Sequence, residues 1–192
     1  MIGRTIADLR AGDFSEITRT VDDRAVASFV DAVGDYNPVH SDPAYAATTP
    51  FRAPIAPGIF TAGLISAVIG TQLPGPGAIY LSQSLKFMKP VMFGDRITAR
   101  AEVVEVLAER NRIRLRTVCV NQDGDEVLTG EAWVMPSKTA VVYEDRPREV
   151  NATPADDALW ACNPFTWPAR AMAFWGTVGL AMLGGGQPTR RV

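Results

Sequence analysis

The chain has 192 residues, of which 47% are apolar and 21% charged, with a formal net charge of −2. That is one domain of ordinary size with room for an appendage, in a soluble globular protein, and its charge gives no reason to expect a nucleic-acid partner. Cys119 and Cys162, the only two cysteines, fit neither a metal-ligand spacing nor a disulfide framework, and Met1–Asp8 lacks an apolar run of signal-peptide length, so a cytoplasmic location is expected.

Residues 14–20 read as a first strand or an extended arm. Thr20-Val21-Asp22-Asp23 then opens a helix, with Thr20 as its cap and the acidic pair on its positive end. Ala25, Phe29, Ala32 and Val33 recur at helical spacing, and Gly34 ends the helix. The polar Asp35–His40 segment contains Pro38 and reads as a loop. A short helix follows from Pro43, with Asp42 placed to cap it. Ile59 to Leu73 is uncharged, with Ile59, Ala62, Ile65, Ser66 and Ile69 at three- and four-residue spacing. Its small residues and apolar faces predict a thin central helix buried on most sides, too short and glycine-rich for a membrane span.

After Leu73-Pro74-Gly75-Pro76-Gly77 the period changes to two, predicting strands near 78–88, 96–107, 112–120 and 126–135. The third is the clearest: Ile113, Leu115, Thr117 and Cys119 alternate with Arg112, Arg114, Arg116 and Val118. Cys119 thereby reads as a buried, inert thiol, and the arginines as a solvated face or, alternatively, a grip on phosphates. Glu109-Arg110-Asn111 and Asn121-Gln122-Asp123-Gly124 are turns, so the strands form an antiparallel meander. A buried helix against such a sheet is an α+β layer arrangement. The expected domain is 1–136, followed by a polar linker at 137–157 and an apolar tail at 158–192.

His40 is the only histidine, five positions after Asp35 across an Asn37-Pro38 turn. A carboxylate and an imidazole are the groups most used to move protons near neutral pH. By itself this segment could equally be an Asx turn with a surface histidine. Gly58 follows Pro57 at a helix start, where a backbone N–H is unpaired and carries positive partial charge. It reads either as an oxyanion donor or as a helix-entry glycine.

Asp35-Tyr36-Asn37-Pro38-Val39-His40-Ser41-Asp42, Pro57-Gly58, Gly75-Pro76-Gly77-Ala78-Ile79-Tyr80-Leu81-Ser82-Gln83-Ser84-Leu85-Lys86-Phe87 and Pro90-Val91-Met92-Phe93-Gly94-Asp95 together resemble the MaoC-like dehydratases. Within that family the chain is most similar to the short-chain (R)-specific enoyl-CoA hydratases linked to polyhydroxyalkanoate synthesis. The resemblance spans roughly residues 10–136. It implies a hot-dog fold, a long helix wrapped by a curved antiparallel sheet. It also implies homodimers with active sites at the interface, and no metal or redox cofactor. Carried over by position, Asp35 and His40 match the catalytic pair. Asn37 matches the turn residue between them and is placed with Gly58 in substrate binding. Two positions depart from the pattern: Pro57 stands where many relatives have His, and Gly63 stands where the well-studied type has Ser. Thr61 and Ser66 are the nearby hydroxyls.

The implied reaction is hydration of trans-2-enoyl-CoA, or of a carrier-protein ester, to the (R)-3-hydroxyacyl thioester. Asp35 is the expected base, His40 the partner on the same water, and the Gly58 N–H the donor to the thioester oxygen. The rivals are a hot-dog thioesterase and a non-catalytic lipid- or granule-binding module. The tail, with Phe174, Trp175, Leu180 and Leu183 flanked by Arg170, Arg190 and Arg191, is expected to pack on the protein itself or to dock on a membrane or granule surface.

Overall fold

The computed structural model describes residues 1–144. The described residues all fall within one compact unit. The tail at 158–192 and most of the expected linker lie outside the described residues.

The elements run β1 (Ile2–Gly3), β2 (Phe14–Thr20), α1 (Asp23–Val33), α2 (Pro43–Thr48), α3 (Gly58–Thr71), β3 (Ile79–Phe87), β4 (Arg96–Leu107), β5 (Arg112–Val120), β6 (Glu126–Met135) and β7 (Val141–Val142). Five strands form one antiparallel sheet in the order β2-β4-β5-β6-β3. Two-residue periodicity sends alternate side chains to one face. Ile97, Ala99, Ala101 and Val103 of β4, Ile113, Leu115, Thr117 and Cys119 of β5, and Ala132 and Val134 of β6 are buried there. Ile65, Val68 and Ile69 of α3 and Leu73 beyond it complete the core. A long helix lying on a wrapped antiparallel sheet is the expected hot-dog architecture.

Several local expectations are corrected. Asp22, not Thr20, caps α1: its carboxylate accepts from the Ala25 N–H at 2.8 Å. Thr20 is instead the last residue of β2, paired with Arg96. The inward face of α1 is Val26 and Val30, with Phe29 beside them, while Ala32 and Val33 are exposed. The ring of Phe29 meets Phe60 of α3 edge to face, with centroids 5.8 Å apart. Nor is α3 buried all round: Ile59, Gly63, Ser66 and Gly70 form an exposed stripe in the single chain. The first residues of the expected linker are also structured, because β7 pairs with β1 and Ser137 bridges Thr5.

The outer sheet face carries an ion-pair network. Arg114 contacts Glu105 and Glu131, and Glu102 receives both Arg116 and Arg100. Arg114 and Arg116 are therefore occupied by carboxylates, and β5 presents a solvated charged face. Phe14 lies under the Arg100 guanidinium, 3.5 Å from its carbon to the ring centroid.

Candidate active site

The Asp35–His40 loop is built on the end of α1. Gly34 adopts a left-handed conformation (φ 73°), and the N–H groups of Gly34 and Asp35 both donate to Val30 O. This fixes the backbone of Asp35 against the last helical turn. The side-chain oxygen of Asn37 accepts from the Val39 N–H at 3.3 Å and opens a single 3₁₀ turn over Pro38–His40. Asn37, expected at the substrate, thus spends its amide oxygen holding the turn. Buried Val39 anchors the turn from below. Asp42 ends the loop by accepting from the N–H groups of Ala44 and Tyr45, capping α2 as expected.

The imidazole of His40 is held by a group from another part of the chain. Its Nδ1 lies 2.7 Å from the carbonyl oxygen of Ile55. A carbonyl can only accept, so in the neutral ring the proton sits on Nδ1 and Nε2 is left as the acceptor. Nε2 points toward Asp35, 3.7 Å from Oδ2. That is long for a direct hydrogen bond, yet one water at ~2.8 Å from each atom spans it easily. The His40 side chain is only 10% exposed, whereas Asp35 is 45% exposed. The ring is therefore oriented by the protein and its acceptor nitrogen is turned toward the carboxylate.

Ile55 ties this pair to the start of α3. Its N–H donates to Val39 O at 3.2 Å, and the next residue, Ala56, donates to Val91 O at 2.8 Å. Pro57 is the N-cap and supplies no side-chain hydrogen bond, so the first N–H groups of α3 keep their donor capacity. Gly58 opens the helix and lines a cavity of about 450 Å³ with Ile55, Thr61, Phe87, Lys89 and Val127 among its walls. Lys89 is the one charged side chain there, and its ammonium is 2.8 Å from Asp125. A Cβ on Gly58 would stand 2.7 Å from the Phe87 ring, so any other residue there requires that ring to shift. His40 lines a neighbouring cavity of about 400 Å³ with Val26, Val30, Tyr36, Pro54 and Phe93.

Of the sequence-derived candidates, Asp35 and His40 are brought together, and Gly58 is joined to them through the three-residue step from Ile55. Gly63 lies on the exposed stripe of α3, with open space where a Cβ would stand. Of the two hydroxyls left open by sequence, Thr61 lines the Gly58 cavity, while Ser66 lies on the exposed stripe. The Ile55 carbonyl and Phe87 were not found from sequence. A backbone acceptor has no residue signature, and Phe87 stood in the resembling segment and a strand without a role of its own. Among the described residues, no three His, Cys, Asp or Glu side chains gather as a metal-binding set. Among them, too, no helix is long and apolar enough to cross a membrane.

Comparison with known proteins agrees with this architecture. The model of the MaoC like domain matches residues 12–125. A 3-hydroxybutyryl-CoA dehydratase of Methylorubrum extorquens is 47% identical over 132 residues, 68% of this chain and 83% of that protein. The (R)-specific enoyl-CoA hydratase of Aeromonas caviae is 42% identical over 126 residues, 66% of this chain and 94% of the relative. Among solved structures, the unliganded R-hydratase PhaJ1 of Pseudomonas aeruginosa superposes with a TM-score of 0.70 at 42% identity, covering 76% of this chain and 95% of that one. The motif residues, the wrapped helix and these matches lead to one assignment: the chain belongs to the MaoC-like dehydratase family.

Proposed function

We propose that this protein hydrates trans-2-enoyl-CoA thioesters to (R)-3-hydroxyacyl-CoA, reversibly, and so is a hydro-lyase that turns fatty-acid oxidation intermediates toward polyhydroxyalkanoate precursors. The observation that carries the reading is the Asp35–His40 pair, 3.7 Å apart with the imidazole pre-oriented by Ile55. The names of relatives at 42–47% identity support the substrate class.

Water between Oδ2 of Asp35 and Nε2 of His40 directs one O–H to each acceptor. Its oxygen lone pair then faces outward, toward the β-carbon of a bound enoyl thioester. Asp35 takes one proton as the C–O bond forms, and the electrons of the double bond move to the thioester oxygen. The Gly58 N–H, at the positive end of α3, stabilises that charge. The Asp35 carboxyl then returns its proton to the α-carbon, so water is added and both groups are restored. His40 holds and polarises the water; because the two groups titrate as a pair, proton transfer belongs to the pair.

A homodimer belongs to the same reading. In support, β3 is an edge strand with Ile79, Tyr80, Leu81 and Phe87 exposed, and Gly63, Ser66 and Gly70 leave a stripe of α3 open. A cytoplasmic location also goes with this reading, and cell fractionation checks it.

The test is the loss of enoyl absorbance on mixing the protein with crotonyl-CoA, with the product passed to an (R)-specific 3-hydroxyacyl-CoA dehydrogenase. Fast hydration to the (R) product is expected. Asp35→Asn should lower turnover by ~10²–10⁴ without unfolding the protein. Release of free thiol in place of hydration would establish a thioesterase instead.

A further inference from the structure

We infer that Thr61 is a second donor to the substrate's thioester oxygen, completing an oxyanion site whose first donor is the Gly58 N–H. The inference rests on the hydratase reading above and extends it to a residue that the sequence left unassigned.

Thr61 is 2% exposed, and its Oγ1 has no hydrogen-bond partner. It is the only buried side-chain oxygen or nitrogen among the described residues left in that state. A threonine inside a helix ordinarily satisfies its hydroxyl on the carbonyl one turn back. That carbonyl, on Pro57, accepts from the Phe60 N–H at 3.0 Å and receives nothing from the Thr61 hydroxyl. The Thr61 backbone carbonyl is also engaged, by the Cys119 thiol at 3.8 Å. The hydroxyl alone is unspent, which is costly unless something that enters the cavity uses it.

What enters is defined by the neighbours. Thr61 and Gly58 line the same cavity and lie three residues apart on α3, so they share a face. Helical side chains lean toward the N-terminus of their helix, which carries the Thr61 hydroxyl over the first turn. The remaining wall is chiefly apolar, from Phe51, Ile55, Ile59, Phe87, Val91 and Val127. An uncharged acyl thioester matches that lining: its chain meets apolar side chains and its one carbonyl oxygen meets the two donors. Charge grows on that oxygen during hydration, so a hydroxyl there acts more strongly on the transition state than on the ground state.

The test compares the full-length protein with Thr61→Val and Thr61→Ser. Valine keeps the shape and removes the hydroxyl; serine keeps the hydroxyl. Removing an oxyanion donor should lower kcat for crotonyl-CoA by about 10²-fold with KM within about threefold, and Thr61→Ser should recover most of the loss. The melting temperature of Thr61→Val should be unchanged or higher, since an unpartnered buried hydroxyl has been removed. A purely structural threonine gives the opposite pattern, and turnover of Thr61→Val within about threefold of wild type would overturn the proposal while leaving the hydratase reading intact.

A second readout does not depend on turnover. [1-¹³C]Butyryl-CoA lacks the double bond and reports the thioester carbonyl stretch by difference infrared spectroscopy. A lower frequency when bound to wild type than to Thr61→Val supports the second donor. Identical bands, or no bound signal with wild type, overturn it. If wild type hydrates no enoyl thioester, the hydratase reading falls and this band alone decides for or against Thr61.

Discussion

Replacing His40 by alanine and by asparagine separates what the ring holds together from what it does. Nδ1 donates to Ile55 O at 2.7 Å from a side chain that is 10% exposed. Alanine removes that donor and leaves a shielded carbonyl without its partner, at a cost of about 1–3 kcal/mol. The amide nitrogen of asparagine occupies nearly the position of Nδ1 and can keep the bond to Ile55, but it offers nothing at Nε2. The two variants should therefore differ by about 1–2 kcal/mol in stability, which is roughly 3–6 °C in Tm for a domain of this size. Both should lose ~10²–10⁴ in kcat, because the water facing Asp35 has lost its second acceptor. Thermal denaturation and crotonyl-CoA turnover on the same preparations provide the comparison. His40→Asn within about tenfold of wild-type activity would remove Nε2 from the mechanism. Equal melting temperatures for the two variants would show that the Ile55 contact does not anchor the ring.

Three further outcomes follow from other parts of the fold. Gly58→Ala sets a methyl group 2.7 Å from the Phe87 ring; it should cost ~1–3 kcal/mol and reduce turnover, and adding Phe87→Ala should recover stability, measured as a double-mutant cycle. The Cys119 thiol is pushed up to about 12 by burial, so with Cys162→Ser in place the native protein should resist alkylation at about pH 8 and yield one reactive thiol on denaturation. The hydrogen bond from Arg116, with Arg100 assisting, holds Glu102 below its ordinary value, against the opposing effect of burial. A depressed native pKa contributes stability that is complete above the ordinary glutamate range and lost as pH falls through the native value. Glu102→Gln should therefore lower Tm at about pH 7 and approach wild type in acid, and a constant difference across the titration would contradict the ion pair.

Much of the fold was legible because it rests on short-range chemistry. The two-residue alternation in Ile113–Cys119 predicts the β5 face that the structure buries, and Asp42 before Pro43 predicts a cap that is made as expected. Asp35 and His40 could be singled out because few residue types move protons near neutral pH, and Gly58 through its place after Pro57 at a helix start together with the family resemblance. The errors arose where two neighbouring solutions compete. Thr20 and Asp22 are both good caps, and pairing of Thr20 with Arg96 on β4 decided between them. On α1 the apolar residues permit more than one stripe, and packing chose Val26 and Val30.

The chain order alone determined which residues carry usable chemistry and which segments have helical or strand periodicity, since both depend on side-chain type and local spacing. Only the tertiary structure decided what those residues face. The proton position on His40 depends on a carbonyl 15 residues away, the room at Gly58 on a ring 29 residues away in β3, and the spare hydroxyl of Thr61 on which groups the fold brings around it. Backbone acceptors look alike in every residue, so no pattern along the chain marks the one that a fold will bring to a given side chain.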